Sequence, residues 1–363
     1  MQGFYLVKNL YGGVRMINHT FFISKKIFVV ALLVLVTAFS WATIASASGA
    51  FVSSQNNNRV LEFEPSEGEF FRVFAEGNPL DVPEGLLIDN SENIFVSSCD
   101  NSSVLYYDGG FGGLISIIIP SGSGGLTCPT ALAFGSNRTL LVTSLLTNEV
   151  LRYNRDTGDF IDVFVSSGSG GLDGPVDMKI GPNGNLYVVS VSSNEILEYN
   201  GNTGEFVRVF VTAGDGGLSG PSAIFFIPGN LMVASSDTNE ILSYDSNNGS
   251  FQGVFVSAGS GGLDTPTCID FGFQAGANMF VCSFETDEIL QYSRFTGEFL
   301  GVFVSSGGGS LDGPTYIAFK EKKGSNSSSC TLAAEGVSDK AAIPAILLFA
   351  PILFVAVRRI VRA

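Results

Sequence analysis

Acidic side chains in three loops are the residues whose type and spacing are suited to chemistry. Asp100, Asp237 and Glu285 each stand two positions after a serine that ends a short run of apolar, mostly β-branched residues. Three carboxylates that meet at one point offer the hard oxygen ligands that Ca²⁺ or Mg²⁺ prefers. The three loops therefore predict a metal site if they surround one opening. The alternative is an acidic, water-filled funnel that holds no fixed ion.

Apolar side chains occupy the same kind of loop and point to a different function. An opening that combines acidic groups with exposed apolar groups is typical of a surface that binds a small ligand or a protein. We therefore predict one ligand-binding site from the residues of these loops. Its members are Leu145, Leu146, Phe284, Asp100, Asp237 and Glu285.

Charged residues also interrupt runs of small and apolar residues that follow a recurrent proline. Asp177, Lys179 and Asp270 lie inside such runs, and Asp89 lies just past the end of another. We expect all four in a central channel. Three of them, Asp89, Asp177 and Asp270, are the alternative set of ligands or acid/base groups for a metal-dependent lactonase or a related hydrolase.

A serine nucleophile lacks its usual partner. The single histidine, His19, precedes the repeated region, so none of the serines there has an imidazole as general base. We assign no catalytic residue. The sequence favours a protein that is not an enzyme, while the hydrolase remains open.

The elements that must position these residues come from an internal repeat. Six prolines open matching segments at spacings of 46, 46, 46, 45 and 48 residues: Pro83, Pro129, Pro175, Pro221, Pro266 and Pro314. Each segment holds four short runs rich in Val, Ile, Phe and Tyr, separated by Gly, Asn and Pro. Four antiparallel strands, a to d, in about 46 residues is the unit of a β-propeller.

The two ends of the repeated region predict how the ring closes. The region begins with strands b, c and d and ends with a strand a alone, at residues 316–319. We therefore predict an all-β, six-bladed propeller in which this last strand a completes the first blade. Closure leaves no unpaired strand edge where the two ends of the repeated region meet.

The repeat resembles the NHL type of propeller. The stretch FVSSQNNNRVLEF at 51–63 and the recurrent Asn-Glu-Ile-Leu-x-Tyr pattern, as at 194–199, carry the resemblance. It departs from that family at the end of strand b, where NHL repeats usually have Asp. The serines found there are Ser54, Ser98, Ser144, Ser190, Ser235 and Ser283.

Two groups of enzymes share this resemblance. Gluconolactonase-like propellers hold a divalent ion with Glu, Asn and Asp side chains, which implies Ca²⁺ or Mg²⁺ as the possible cofactor here. Streptogramin-lyase-like propellers rely on His, which the repeated region lacks. Because one fold hosts many functions, the resemblance does not select among them.

The N-terminal 47 residues have the pattern of a secretory signal. Lys25 and Lys26 precede an apolar run at 27–42, and small residues follow at 45–47. We predict cleavage after Ala47 by the export machinery. The propeller then spans residues 48–322.

The C-terminal residues predict tethering. A Gly/Ser-rich linker at 323–340 contains Cys330, and an apolar segment at 341–357, long enough to span a membrane, is followed by three arginines. We predict a transmembrane helix within 341–363. The arrangement resembles a bacterial C-terminal sorting signal, in which Cys330 is a processing site. A plain membrane anchor is the alternative.

Charge and cysteine content agree with an exported protein. Residues 48–319 hold 8 basic and 31 acidic groups, a balance of 8 − 31 = −23. Such a surface repels nucleic acid, which needs a basic face. Export permits disulfides, and the spacing allows Cys268 to pair with Cys282 and Cys99 with Cys128.

Three hypotheses follow for function. The leading one is an exported, secreted or surface-tethered module that binds a small ligand or a protein through loops at the channel mouth. The second is the metal-dependent hydrolase, and the third is a structural surface protein with no small-molecule partner.

Overall fold

The chain folds into a ring of six four-stranded antiparallel sheets. The computed structural model describes residues 5–8, 14–17, 48–272 and 278–320. Tyr5–Lys8 (β1) and Val14–Ile17 (β2) form a separate antiparallel pair. All other described strands belong to the six sheets, which are the blades of a β-propeller.

Strands a and b are the two inner strands of each blade. Strand a is Pro83–Ile88 (β6), Pro129–Phe134 (β10), Pro175–Ile180 (β14), Pro221–Ile227 (β18), Pro266–Phe271 (β22) and Pro314–Lys320 (β26). Strand b is Gly49–Ser54 (β3), Ile94–Ser98 (β7), Thr139–Ser144 (β11), Leu186–Ser190 (β15), Asn230–Ser235 (β19) and Met279–Ser283 (β23).

Strands c and d form the outer half of each blade. Strand c is Arg59–Phe63 (β4), Ser103–Tyr107 (β8), Glu149–Asn154 (β12), Glu195–Tyr199 (β16), Glu240–Asp245 (β20) and Glu288–Tyr292 (β24). Strand d is Phe70–Glu76 (β5), Leu114–Ile119 (β9), Phe160–Val165 (β13), Phe206–Val211 (β17), Phe251–Val256 (β21) and Phe299–Val304 (β25).

The ring closes within a blade built from both ends of the repeated region. Blades 1 to 5 follow chain order from β6 to β25, whereas blade 6 has the strand order β26-β3-β4-β5. Its register pairs Pro314 with Ser54 and Lys320 with Gly49. Strand β26 also contacts β6 on one side and β22 on the other. This confirms the predicted six-bladed architecture and its closure.

Short 3-10 helices connect the strands. Two follow strand b, at Gln55–Asn57 (η1) and Leu145–Thr147 (η3). Five lie in d–a loops, which connect one blade to the next: Ser123–Gly125 (η2), Ser169–Gly171 (η4), Asp215–Gly217 (η5), Ser260–Gly262 (η6) and Gly308–Ser310 (η7). Glycines with positive φ, such as Gly170 at 63°, allow this tight path.

The hydrophobic core is divided among the junctions between blades. Because side chains alternate across each strand, every blade has two faces, and each face packs on a neighbour. The buried residues form six clusters, one for each pair of adjacent blades. In the cluster between blades 2 and 3, for example, Leu141 of β11 joins Met178 of β14. Burial between blades therefore holds the ring together.

One hydrogen bond recurs at all six junctions, and we call it the rim lock. A b–c loop residue with positive φ accepts a hydrogen bond from the backbone N–H of the residue that precedes the proline of the next blade. Asn148 Oδ1 binds Gly174 N at 2.8 Å, and Asn194 Oδ1 binds Gly220 N at 2.7 Å. The remaining pairs are Asn58–Val82, Ser102–Cys128, Asn239–Thr265 and Asp287–Gly313. The repeated Asn-Glu pattern thus starts strand c and fastens the next blade.

The six serines that end strand b also have a structural role. All are fully buried, and each hydroxyl bonds to backbone atoms of the d–a loop that enters its own blade. Ser190 Oγ, for example, accepts from Asp173 N at 2.9 Å and donates to Asp173 O at 3.0 Å. These serines close the inner hairpin onto the incoming chain.

Two disulfides reinforce the scaffold. Cys268 in β22 is joined to Cys282 in β23 across one antiparallel pair, with 5.1 Å between the Cα atoms. Cys99, in the b–c loop of blade 1, is joined to Cys128, which precedes the proline of blade 2. The second bond therefore links two neighbouring blades.

The predicted terminal segments lie largely outside the described residues. These are the cleavage site at Ala47, the linker with Cys330, and the apolar segment at 341–363. Within the described ranges, no helix has the length and apolar character needed to cross a membrane.

Candidate functional site

A cavity of about 390 Å³ opens at one end of the central channel, and we call it the mouth cavity. The b–c loops and the first residues of the inner strands line it. Because the loops come from different blades, the cavity exists only in the closed ring. Its walls combine the apolar side chains of Leu145, Val176 and Phe284 with carboxylates.

The residue directly after each recurrent proline forms part of the wall. In four blades it carries a hydroxyl that donates to the proline carbonyl of the next blade. The pairs are Thr130–Pro175, Ser222–Pro266, Thr267–Pro314 and Thr315–Pro83, at 2.6 to 3.0 Å. Blades 1 and 3 depart from this pattern with Glu84 and Val176. A feature that differs between blades is not explained by the shared scaffold.

Glu84 is a carboxylate of the mouth cavity that is hydrogen-bonded to a neighbouring blade. Gln55 Nε2, from blade 6, donates to Glu84 Oε1 at 2.6 Å. Burial at the junction of blades 6 and 1 raises the pKa of Glu84 to about 7, although the hydrogen bond from Gln55 opposes the rise. The carboxyl therefore changes its charge near neutral pH.

Lys179 spans the channel below the mouth cavity. Its Nζ donates to Asp177 Oδ1 at 2.9 Å and to the hydroxyl of Tyr316 at 2.7 Å. Asp177 is buried, and its second oxygen accepts from Ile224 N at 3.0 Å. Burial acts to lower the pKa of Lys179, but Asp177 and Tyr316 outweigh it and raise that pKa. Lys179 therefore stays charged.

Asp270 lies in the same channel, on strand β22 of blade 5. Burial raises its pKa to about 7, while the charge of Lys179 and a hydrogen bond from Phe271 N at 2.6 Å act in the opposite direction. Asp177, Lys179 and Asp270 thus influence one another electrostatically.

The structure divides the residues that were predicted to bind a ligand. Leu145, Phe284, Asp237 and Glu285 line the mouth cavity. Leu146 is 71% exposed and lies outside its lining, as does the exposed Asp100.

Asp89 also lies apart from the channel residues. Its carboxylate accepts hydrogen bonds from the hydroxyl of Tyr106, on strand c, at 2.7 Å and from the backbone N–H of Ser91 at 2.7 Å. Asp89 therefore serves the turn between strands a and b and not the channel.

The three acids predicted as metal ligands do not form a metal site. In the described part of the chain, no group of three or more His, Cys, Asp and Glu residues could hold a metal ion. The physical reason is their place in the ring: Asp100 belongs to blade 1, which lies opposite blade 4 and its Asp237. Asp237 instead accepts from Ser219 Oγ at 2.9 Å, within its own blade. The residues present do not fit the divalent ion that the gluconolactonase resemblance implied.

Sequence reasoning missed Glu84, Gln55 and Tyr316. Glu84 had a detectable signal, since it replaces the Thr or Ser that follows the proline in four other blades. Gln55 had none, because its relation to Glu84 arises only when blade 6 meets blade 1. Tyr316 meets Lys179 only across the closed ring.

Comparison with known proteins identifies the architecture alone. Neither a protein-family model nor a curated protein matches the chain. Among solved structures, a chain in the crystal structure of a nidogen/laminin complex is similar. The match has a TM-score of 0.62 at 15% sequence identity and covers 76% of this chain and 98% of that chain. At this identity the similarity shows a shared fold.

Proposed function

We propose that the protein is a binding module that receives part of a protein partner in its mouth cavity. The observation that carries the proposal is the mouth cavity. It lies where the blades differ in sequence, as at Glu84 and Val176. Its volume of about 390 Å³ lies within the range of known ligand pockets. The similar solved chain occurs in a complex of two proteins, which supports a protein as the partner here.

Selection from a random-peptide phage library on the full-length protein tests this function. We expect selected peptides to protect the b–c loops from hydrogen exchange and to lose binding in Leu145→Asp. Leu146→Asp is a matched control, because the neighbouring side chain lies outside the cavity. Peptides that protect another surface, or that bind both variants equally, would refute the mouth cavity as the binding site.

We also propose that the module is exported and tethered. The apolar run before Ala47, the apolar segment after Cys330 and the two disulfides support this. N-terminal sequencing of the mature protein should begin at Ser48. A mature protein that begins at Met1 or Met16 would contradict export by cleavage.

We further infer that the blades are NHL-type repeats and that the tail is a sorting signal. The Asn-Glu-Ile-Leu-x-Tyr pattern on strand c supports the first point, and the order of Cys330, apolar segment and arginines supports the second. Mass spectrometry of the C-terminus tests the sorting signal, since an intact Ala363 in the mature protein would contradict processing.

A further inference from the structure

We propose that the mouth cavity selects a cationic side chain, an arginine or lysine that projects from the protein partner. The proposal rests on the proposed function and adds the chemistry of the partner. Three observations carry it: the charge of the lining, the apolar wall, and the charge of the whole exported region.

The lining of the mouth cavity is acidic without compensation from a basic residue in that lining. Four carboxyls contribute to it, and they are Glu84, Asp177, Asp237 and Glu285. Lys179 lies just below the lining. Its ammonium group neutralises the carboxylate of Asp177 and also donates to the hydroxyl of Tyr316. Asp237 and Glu285 give the lining a negative field that favours a cation entering from solvent, and Glu84 adds to this field as the pH rises above its pKa of about 7.

The apolar wall suits the aliphatic stem of such a side chain. Leu145, Val176 and Phe284 give the cavity apolar surface beside its carboxylates. Lysine and arginine bury their methylene stems on apolar surface and keep the charged end among polar groups. An aromatic face such as that of Phe284 adds a favourable interaction with a cation.

Phe284 lies close to the chain that enters the next blade at Gly313. A Cβ atom on Gly313 would lie 3.0 Å from Phe284 Cε2 and 2.7 Å from Asn56 Nδ2, and Gly313 has a φ of +62°. Glycine at this position therefore lets the b–c loop of blade 5 approach blade 6. The aromatic side chain of Phe284 is therefore part of the wall of the mouth cavity.

The charge of the exported region favours the same partner. A balance of −23 over residues 48–319 attracts a basic surface from a distance and raises the rate of encounter. It also disfavours an anionic ligand and a second copy of this chain. A divalent cation is disfavoured because the acids do not group as ligands.

Short capped peptides with one variable residue test the choice of side chain. We would measure binding of Gly-Ser-X-Ser-Gly to the full-length protein by ligand-observed NMR, with X as Arg, Lys, norleucine or Glu. Norleucine matches the stem of lysine without its charge. We expect the Arg and Lys peptides to bind about tenfold more tightly than the other two, in line with a charge-assisted hydrogen bond.

Two variants assign the preference to the cavity. With binding measured at pH 8, above the pKa of Glu84, Glu84→Gln with Glu285→Gln should reduce the tenfold preference to about threefold or less, because two carboxylates of the wall become neutral. Glu205→Gln is the matched control, since Glu205 is an exposed acid in a c–d turn, away from the mouth cavity. It should leave the preference unchanged.

The failure of this inference is distinct from the failure of the proposed function. Equal binding of the four peptides, or a preference that survives the double substitution, overturns the cationic side chain. If library peptides still protect the b–c loops, the mouth cavity remains a binding site for other chemistry. If they protect another surface, both proposals fail.

Discussion

The rim lock and the wall of the mouth cavity are only a few residues apart, yet they follow opposite rules. At every junction an acceptor in the b–c loop binds the N–H of the residue before the proline. Two positions further on, the residue after that proline is Glu, Thr, Val, Ser, Thr or Thr. Since every blade has the same four strands and the same rim lock, the difference lies in the side chains. Positions that repeat in every blade, such as the rim lock, therefore build the ring. Positions that differ between blades, such as the residue after the proline, give the mouth cavity its own chemistry.

The largest effect on stability is expected at Lys179, the only basic residue at its position in strand a among the six blades. Lys179→Met leaves the buried carboxylate of Asp177 without its cation and should lower the free energy of unfolding by about 3–5 kcal/mol. Denaturant titration measures this. The double variant Asp177→Asn with Lys179→Met should recover most of the loss. A single variant as stable as the wild type would show that the pair does not hold the channel.

The next effect is a pH dependence that arises from Glu84. The pKa of Glu84 rises from 4.5 to about 7 on folding, so the unfolded chain releases this proton first. The free energy of unfolding therefore falls as pH rises from 4.5 to 7 and is level above that window, by at most on the order of 3 kcal/mol.

Glu84→Gln should remove this part of the pH dependence. Asp270, whose pKa also rises to about 7, keeps its own fall in the same direction. Denaturant titration of both proteins from pH 4 to 8 gives the difference between the two slopes. Parallel curves would show that Glu84 titrates as an ordinary surface carboxyl.

A smaller effect is expected at the rim lock. Asn194→Gly tolerates the φ of 58° but loses the acceptor for Gly220 N, and it should lower the free energy of unfolding by about 1–2 kcal/mol. Asn194→Asp is the control, because Asp287 already makes this bond in blade 5. Equal stability of the Gly variant and the wild type would remove the rim lock as a stabilising contact.

The smallest effect is expected at Leu146. Leu146→Asp changes a side chain that is 71% exposed and should alter the free energy of unfolding by less than about 0.5 kcal/mol. Thermal unfolding measures this. A larger loss would mean that the exposed loop residue supports the ring, and the contrast with Leu145 would lose its meaning.

The fold was predictable because repetition multiplies a weak signal. One short run such as residues 186–190 does not define a propeller, but six proline-started units with complementary ends define both the number of blades and the closing strand. The positions of strands a to d followed from alternation and turn residues. The partner of each repeated Asn could not be predicted, since the rim lock joins residues about 26 positions apart in two different blades.

The site was predictable only in part, because proximity across a ring does not follow from position within a blade. Leu145, Phe284, Asp237 and Glu285 line the mouth cavity as expected of b–c loop residues. Asp100 has the same place in its own loop, yet it is exposed and lies outside that lining. Glu84 was not predicted, because the position after the proline carries a hydroxyl or an apolar side chain in the other five blades.

The hydrogen bond between Lys179 and Tyr316 limits how far a partner can enter the central channel. Strands β14 and β26 are three places apart in a ring of six, so the two side chains meet from opposite walls. The hydrogen-bonded pair therefore crosses the channel beneath the mouth cavity. A side chain that enters past Phe284 meets Lys179 and Tyr316, and this contact limits how deeply it can be inserted.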